Sequence, residues 1–92
     1  MTNRNYNQLQ HCIDDYLERQ GKREIDEMEA NSVLASEGLM DDDQSHPGRP
    51  LRELLALMRD SNLLPKNIRQ SLGSWIIRNS RAFQMRQQIF SF

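Results

Sequence analysis

Apolar residues recur at spacings of three and four over residues 5–20, where Tyr6, Leu9, Ile13, Tyr16 and Leu17 line one side and Cys12 lies beside them. That period follows the turn of an α-helix and predicts an amphipathic one. Gly21 is placed to end it, because glycine enters the left-handed region at a helix C-terminus without strain. Lys22, Arg23 and Glu24 read as a solvated link. A second helix is expected over 26–38. Asp26 and Glu29 form an Asp-x-x-Glu pattern, an analogue of the capping box that satisfies the free N–H groups of a first turn. Met28, Val33, Leu34 and Ala35 supply its apolar side and Gly38 its stop, with Leu39 and Met40 folding back onto the core. Residues 41–48 read as an acidic loop: three successive aspartates repel one another, and His46-Pro47-Gly48 is turn chemistry. A third helix is expected over 50–61. Pro50 opens it, since the N–H that proline lacks would be unpaired there. Leu51, Leu54, Leu55 and Met58 form its stripe, Leu57 broadens it, and Leu54 stands at its centre as the expected core anchor. Asn62, tolerant of the left-handed region, is the expected stop.

Residues 63–80 admit two readings. As strands, Ile68 and then Trp75, Ile76 and Ile77 flank a turn at Ser71-Leu72-Gly73-Ser74, and 68–70 would pair antiparallel with 75–78. As helix, Pro65 would start a short one ending at Gly73, and a second would run over 74–90. Periodicity alone leaves both open. Residues 80–90 are helical in either reading, with Phe83, Arg86, Ile89 and Phe90 along one side.

The chain has 92 residues, which bounds it to one domain. Leu, Ile, Val and Phe together make 21 of these, enough for a small core. No apolar run reaches the roughly 18 residues of a membrane span. No apolar stretch follows the N-terminal Met1-Thr2-Asn3-Arg4-Asn5, so no signal peptide is expected. With Cys12 the one cysteine, an internal disulfide is excluded, and a soluble, cytoplasmic, reducing setting is expected. The small net charge conceals an asymmetry. Residues 1–46 hold four basic and eleven acidic groups, a net of −7; residues 47–92 hold eight basic groups against Glu53 and Asp60, a net of +6. The basic half could lie on phosphates, or the two halves could attract each other within one fold.

Catalytic and metal chemistry find little support. The four glycines are isolated, so there is no glycine-rich phosphate loop. His11 and Cys12 are neighbours and point to different sides of a helix, with His46 far off, which suits neither a metal site nor a nucleophile pair. Asp41, Asp42 and Asp43 lack the alternating ligands and glycine of a calcium loop. Asp14, Asp15 and Glu18 read most simply as a solvated helix face. The expectation is a protein that is not an enzyme, with no cofactor, no metal and no small-molecule substrate.

One run of features carries a functional hint. A capped helix ends at a glycine; an arginine-bearing helix follows, GRPLRELLALMRDSN; then comes LLPKNIRQSLGSWIIRNS. Over residues 25–80 this order resembles the small winged-helix domains of the excisionase and MerR-like group. The features that match are Glu29, Ala30 and Leu34 in the first helix, Arg59, Asp60, Leu64 and Pro65 at the turn after the second, and Gly73, Trp75 and Ile77 in the wing. The link over 40–48 is longer than that group's tight turn, and the helices over 5–20 and 80–90 have no counterpart in its minimal form. The resemblance implies a mainly α fold with a small β-hairpin over 66–78: a winged helix-turn-helix with extra N- and C-terminal helices. It implies a small DNA-binding regulator, or an accessory to a larger nucleic-acid machine, that holds duplex DNA through residues 49–80. Arg49, Arg52 and Arg59 would then reach phosphates or guanine edges, whose geometry a guanidinium fork matches. Lys66, Arg69 and Arg78 would track the flanking backbone from the wing. The alternative is a protein-interaction module or homodimer, in which the leucine stripe 51–58 and the aromatic tail at Phe83, Phe90 and Phe92 dock a partner.

Overall fold

A computed structural model describes residues 6–81. In chain order the elements are helix α1 (Tyr6–Gln20), strand β1 (Glu24–Asp26), helices α2 (Glu27–Ser36) and α3 (Arg49–Asp60), and strands β2 (Ile68–Ser71) and β3 (Ser74–Arg78). The architecture is a small mixed α/β fold. The three strands form one antiparallel sheet in the order β1-β3-β2. Helix α2 touches α1, α3, β1 and β3, so it is the element around which the others assemble.

All three helices end by one local device. One or two residues past each end, at Gly21, Gly38 or Asn62, the backbone is left-handed. The next N–H then reaches back to a carbonyl in the last turn: Lys22 to Leu17 at 2.9 Å, Leu39 to Leu34 at 2.9 Å, and Leu63 to Met58 at 2.8 Å. This is the Schellman closure, and it satisfies carbonyls the helix itself leaves unpaired. At the start of α2 the Asp26 carboxylate accepts from the Glu29 N–H at 2.9 Å. Glu29 does not return the bond as a capping box would. Its carboxylate instead accepts from Tyr16 Oη and Lys22 Nζ.

The core draws Leu9, Ile13 and Leu17 from α1, Ala30 and Leu34 from α2, Leu51 and Leu55 from α3, and Ile25, Ile68, Trp75 and Ile77 from the sheet. Register places Ile77 between Ile25 and Ile68, so one sheet face is apolar and faces the helices. Side chains of opposite parity, among them Glu24, Asp26, Arg69, Ile76 and Arg78, share the other face.

The structure departs from several expectations. The link at 22–24 leads into a strand: Glu24–Asp26 is β1, with Ile25 alone turned inward. A three-residue strand with charges on either side of one apolar residue leaves no period to detect. The 63–80 segment takes the strand reading, with 68–71 paired to 74–78, so a single helix over 74–90 is not formed. Ser80 and Arg81 are helical, and the remainder of the helix expected over 80–90 lies outside the described residues. On α2, Met28 is exposed and the buried side includes Glu27 and Asn31. On α3 the fully buried anchor is Leu55; Leu54 is half-buried. Among the described residues no helix is long and apolar enough to cross a membrane.

The loop at 37–48 is built by its aspartates. Asp42 Oδ1 accepts from the N–H groups of Asp43 and Gly48, and Asp43 Oδ1 from those of Ser45 and His46. The Ser45 N–H, as the largest cause, holds the Asp43 carboxyl below its ordinary value. These turns return the chain to α2, where Gly48 lies directly against Met28 and starts α3.

Candidate functional site

Of the six cations expected to act together, Arg49, Arg52 and Arg59 sit on α3, Lys66 just precedes β2, and Arg69 and Arg78 lie on the sheet face turned away from the helices. Arg59, near the end of α3, donates to Gln70 Oε1 on β2 at 2.9 Å and to Asp60 at 3.1 Å. Its guanidinium lies 5.7 Å from the centre of the Trp75 ring on β3, within cation–π range. Arg52, two turns earlier, reaches Glu27 Oε2 through Nε at 3.3 Å and Nη2 at 3.2 Å. The Glu27 side chain is only 7% exposed, and its other oxygen accepts from the Trp75 N–H at 2.9 Å. One carboxylate at the start of α2 thus ties α3 to the middle of the hairpin. A buried carboxylate is tolerable only when paired and hydrogen-bonded in this way.

Arg49 pairs with Glu53 at 3.0 Å and lies 3.8 Å from Asp43. Arg78 pairs with Glu24 across the sheet at 3.5 Å. Lys66 and Arg69 are exposed, and neither makes an ion pair among the described residues. The outward side of α3 carries Arg49, Glu53, Leu57 and Asp60, all exposed, so it is not uniformly basic. The leucine stripe is turned inward, with Leu51 and Leu55 in the core and Leu54 and Met58 packed against it. Phe83, Phe90 and Phe92 lie outside the described residues. Among the described residues the large exposed apolar side chains are Met28, Leu57, Leu63 and Leu72.

A buried polar network, absent from the sequence reading, anchors the base of the hairpin to α1. Tyr6 Oη donates to Gln10 Oε1, and Gln10 Nε2 donates to Asp14 Oδ1 at 2.8 Å. Asn67 Nδ2 donates to Gln10 Oε1 and to the Arg78 carbonyl, each at 3.0 Å. Asp14 also accepts from the Ser80 N–H at 2.9 Å and from Ser80 Oγ. Burial, reinforced by the Asp14 charge, pushes the Tyr6 phenol well above its ordinary value. A signal was present: Tyr6, Gln10 and Asp14 stand four apart, alongside the stripe Leu9, Ile13, Leu17. Arg81 then crosses to α1, 3.1 Å from Asp15 and 3.0 Å from Glu18.

Asn31 is a second buried polar residue that the sequence did not single out. Its Oδ1 accepts from the Leu51 N–H at 2.8 Å, and its Nδ2 donates to the Asp41 carbonyl at 3.0 Å. Gly48 has no side chain with which to cap α3, so Asn31 supplies that acceptor from α2. Among the described residues no group of three or more His, Cys, Asp or Glu could hold a metal ion. The chemistry available on α3 and the hairpin is recognition by guanidinium, ammonium and amide donors.

No family model matches the chain, and neither a curated protein nor a solved structure is significantly similar to it.

Proposed function

We propose that this chain is a non-enzymatic, winged helix-turn-helix DNA-binding protein, a small regulator or accessory factor that holds duplex DNA with α3 and the β2–β3 hairpin. The observation that supports the reading is the order α1-β1-α2-α3-β2-β3, in which an arginine-bearing helix is followed by a β-hairpin and linked to it by the Arg59–Gln70 bond. In this reading α1 belongs to the domain, because its network fixes the base of the wing. Arg52 and Arg59 hold the helix against the wing. Arg49, Lys66 and Arg69 are the cations offered to phosphate, with Arg78 beside them on the outer sheet face. Residues 61–81 hold no carboxylate, and of their cations Lys66 and Arg69 make no ion pair among the described residues while Arg78 joins Glu24 and Arg81 joins Asp15 and Glu18.

A fluorescence titration of mixed duplexes of about 25 base pairs at low salt tests this, with binding expected tighter than about 100 μM, the weak end of non-specific affinity. The affinity falls linearly in log salt. Arg69→Ala weakens binding to every sequence alike and lowers the salt slope by about one. Absence of binding in that range removes the reading.

A second reading is favoured by Leu57, which is 63% exposed between Glu53 and Asp60 on the outward side of α3. An apolar residue flanked by carboxylates suits a protein partner better than a phosphate backbone. Loss of a purified partner on Leu57→Ser, with no duplex bound by the parent chain, is the outcome that selects it.

A further inference from the structure

The helices cover one face of the sheet. On the other face, β1, β3 and β2 set three side chains in a row at one register position: Asp26, Ile76 and Arg69. The pleat puts all three on the same side, since their strand neighbours Ile25, Trp75, Ile77 and Ile68 are buried toward the helices. Asp26 and Arg69 are exposed, and Ile76 is half-buried between them. Among the described residues Ile76 is the one large apolar side chain on this face. The two charges are opposite, yet neither makes an ion pair among the described residues. Strand β3 lies between them and holds β1 and β2 about 10 Å apart, so they do not meet within the chain. One Asp26 oxygen caps α2 at the Glu29 N–H, and the other has no partner among the described residues. Past β3 the chain turns to the helix side, where Arg81 meets α1.

We infer that this face is self-complementary and that a second copy of the chain covers it, sheet against sheet. A two-fold axis parallel to β3 lays β3 over its own copy and exchanges β1 with β2. Asp26 then faces Arg69 of the second copy, Arg69 faces its Asp26, and the two Ile76 side chains meet on the axis. Sheets packed face to face stand about 10 Å apart, a gap that an arginine and an aspartate span from opposite sides and two isoleucines fill. Charge selects this axis: a two-fold across the strands would set each strand over its own copy, acid on acid and base on base. Charge also selects the occupant, because Glu24 and Asp26 on the same face repel a polyanion. In the next row Arg78 faces Arg78 of the second copy, and each keeps its own counterion in Glu24, at 3.5 Å. The face is three strands wide with one apolar residue per copy, so association is weak, with a dissociation constant on the order of 0.1–1 mM. The inference does not rest on the DNA-binding reading, and either stands without the other. Where both hold, a phosphate and the second copy compete for Arg69.

Sedimentation equilibrium of the full chain at low salt, up to about 1 mM, is the test. A reversible monomer–dimer equilibrium is expected, and it weakens as salt screens the exposed pairs. Arg69→Glu sets acid against acid at both ends of the row. Association then falls about tenfold or more, while the melting temperature stays near the parent's because Arg69 has no ion pair among the described residues. A folded Asp26→Arg chain is equally weak alone, and an equimolar mixture with Arg69→Glu recovers the dimer, because the reversed charges now match. Should Asp26→Arg not fold without its cap, Asp26→Asn decides in its place: it keeps the cap, loses the charge and weakens the dimer. A parent chain that stays monomeric at about 1 mM overturns the inference, and so does a folded mixture that fails to recover the dimer. A dimer that Arg69→Glu leaves at full strength also overturns it, and places the contact at another surface such as that of Leu57.

Discussion

Gly48 and Asn31 together make the start of α3, and each is there for a steric or hydrogen-bonding reason. A Cβ added to Gly48 would lie 2.9 Å from the Met28 Cα, a backbone atom that cannot swing aside, and φ is +87°. Gly38 shares the positive φ, at +72°, but has nothing within 4 Å of the same position. Gly38→Ala is therefore expected to cost about 1 kcal/mol, from backbone conformation alone. Gly48→Ala carries that term plus the clash, so its urea midpoint falls clearly further; equal losses would show that α2 and α3 can separate freely. Asn31→Ala leaves the Leu51 N–H and the Asp41 carbonyl without their partner. We expect a loss of about 1–3 kcal/mol by urea unfolding, the cost of unpaired buried polar groups.

Between elements, α3 is held from two sides. Its apolar side seats Leu55 in the core, and Leu55→Ala should cost about 2–5 kcal/mol in urea titration, as truncation of a buried leucine does. Leu54→Ala should cost visibly less, because Leu54 is only half-buried. Reversal of that order would mean α3 is rotated about its axis. Its polar side is held by Arg52, whose side chain is 42% exposed while its partner Glu27 is 7% exposed. Water screens the arginine end, so the pair itself contributes modestly. Removing Arg52 nevertheless leaves a buried carboxylate with one fewer donor. Arg52→Ala should cost about 1–3 kcal/mol by thermal or urea unfolding, and the double variant with Glu27→Gln should recover part of it. Full stability in Arg52→Ala would free that arginine for the base contact the sequence suggested.

Across the whole molecule, the opposite charges of the two halves meet. Arg49 approaches Asp43, Arg52 joins Glu27, Arg78 joins Glu24, and Arg81 reaches Asp15 and Glu18. Much of the basic excess of 47–92 is thus offset internally, which leaves the wing to supply unpaired cations. The same pairing sets the response to acid. Hydrogen bonds from Asn79 and Arg81 hold the Glu18 carboxyl low, and those from Lys22 and Tyr16 hold Glu29 low. A carboxyl that is more acidic folded than unfolded stabilises the fold above the unfolded pKa, about 4.3 for Glu. That contribution is lost as pH falls through the folded value. Urea midpoints should therefore be flat between pH of about 5 and about 8 and decline below about 4, and Glu29→Gln should shallow the acid decline. A midpoint that rises on acidification would contradict these ion pairs.

Helix spans and helix ends were legible in the chain because both are local. The periodicity of Leu9, Ile13 and Leu17, the Asp26 cap, and the stops at Gly21, Gly38 and Asn62 each depend on residues within one or two turns. The Leu72-Gly73 turn was legible too, although only pairing with β1 and β2 chose strand over helix for Trp75, Ile76 and Ile77. Of the candidate surface, sequence supplied the six cations and their place on a helix and a hairpin. It could not say which were already engaged, because their partners lie far along the chain. Glu27 meets the Trp75 N–H 48 residues away, and Asp14 meets Ser80 at a separation of 66. Strand β1 exists only because β3 offers it an edge to pair with. Buried Glu27, Asn31 and Asp14 look like surface residues until the fold brings them donors, since a polar group's burial is decided by its partners and not by its own hydropathy.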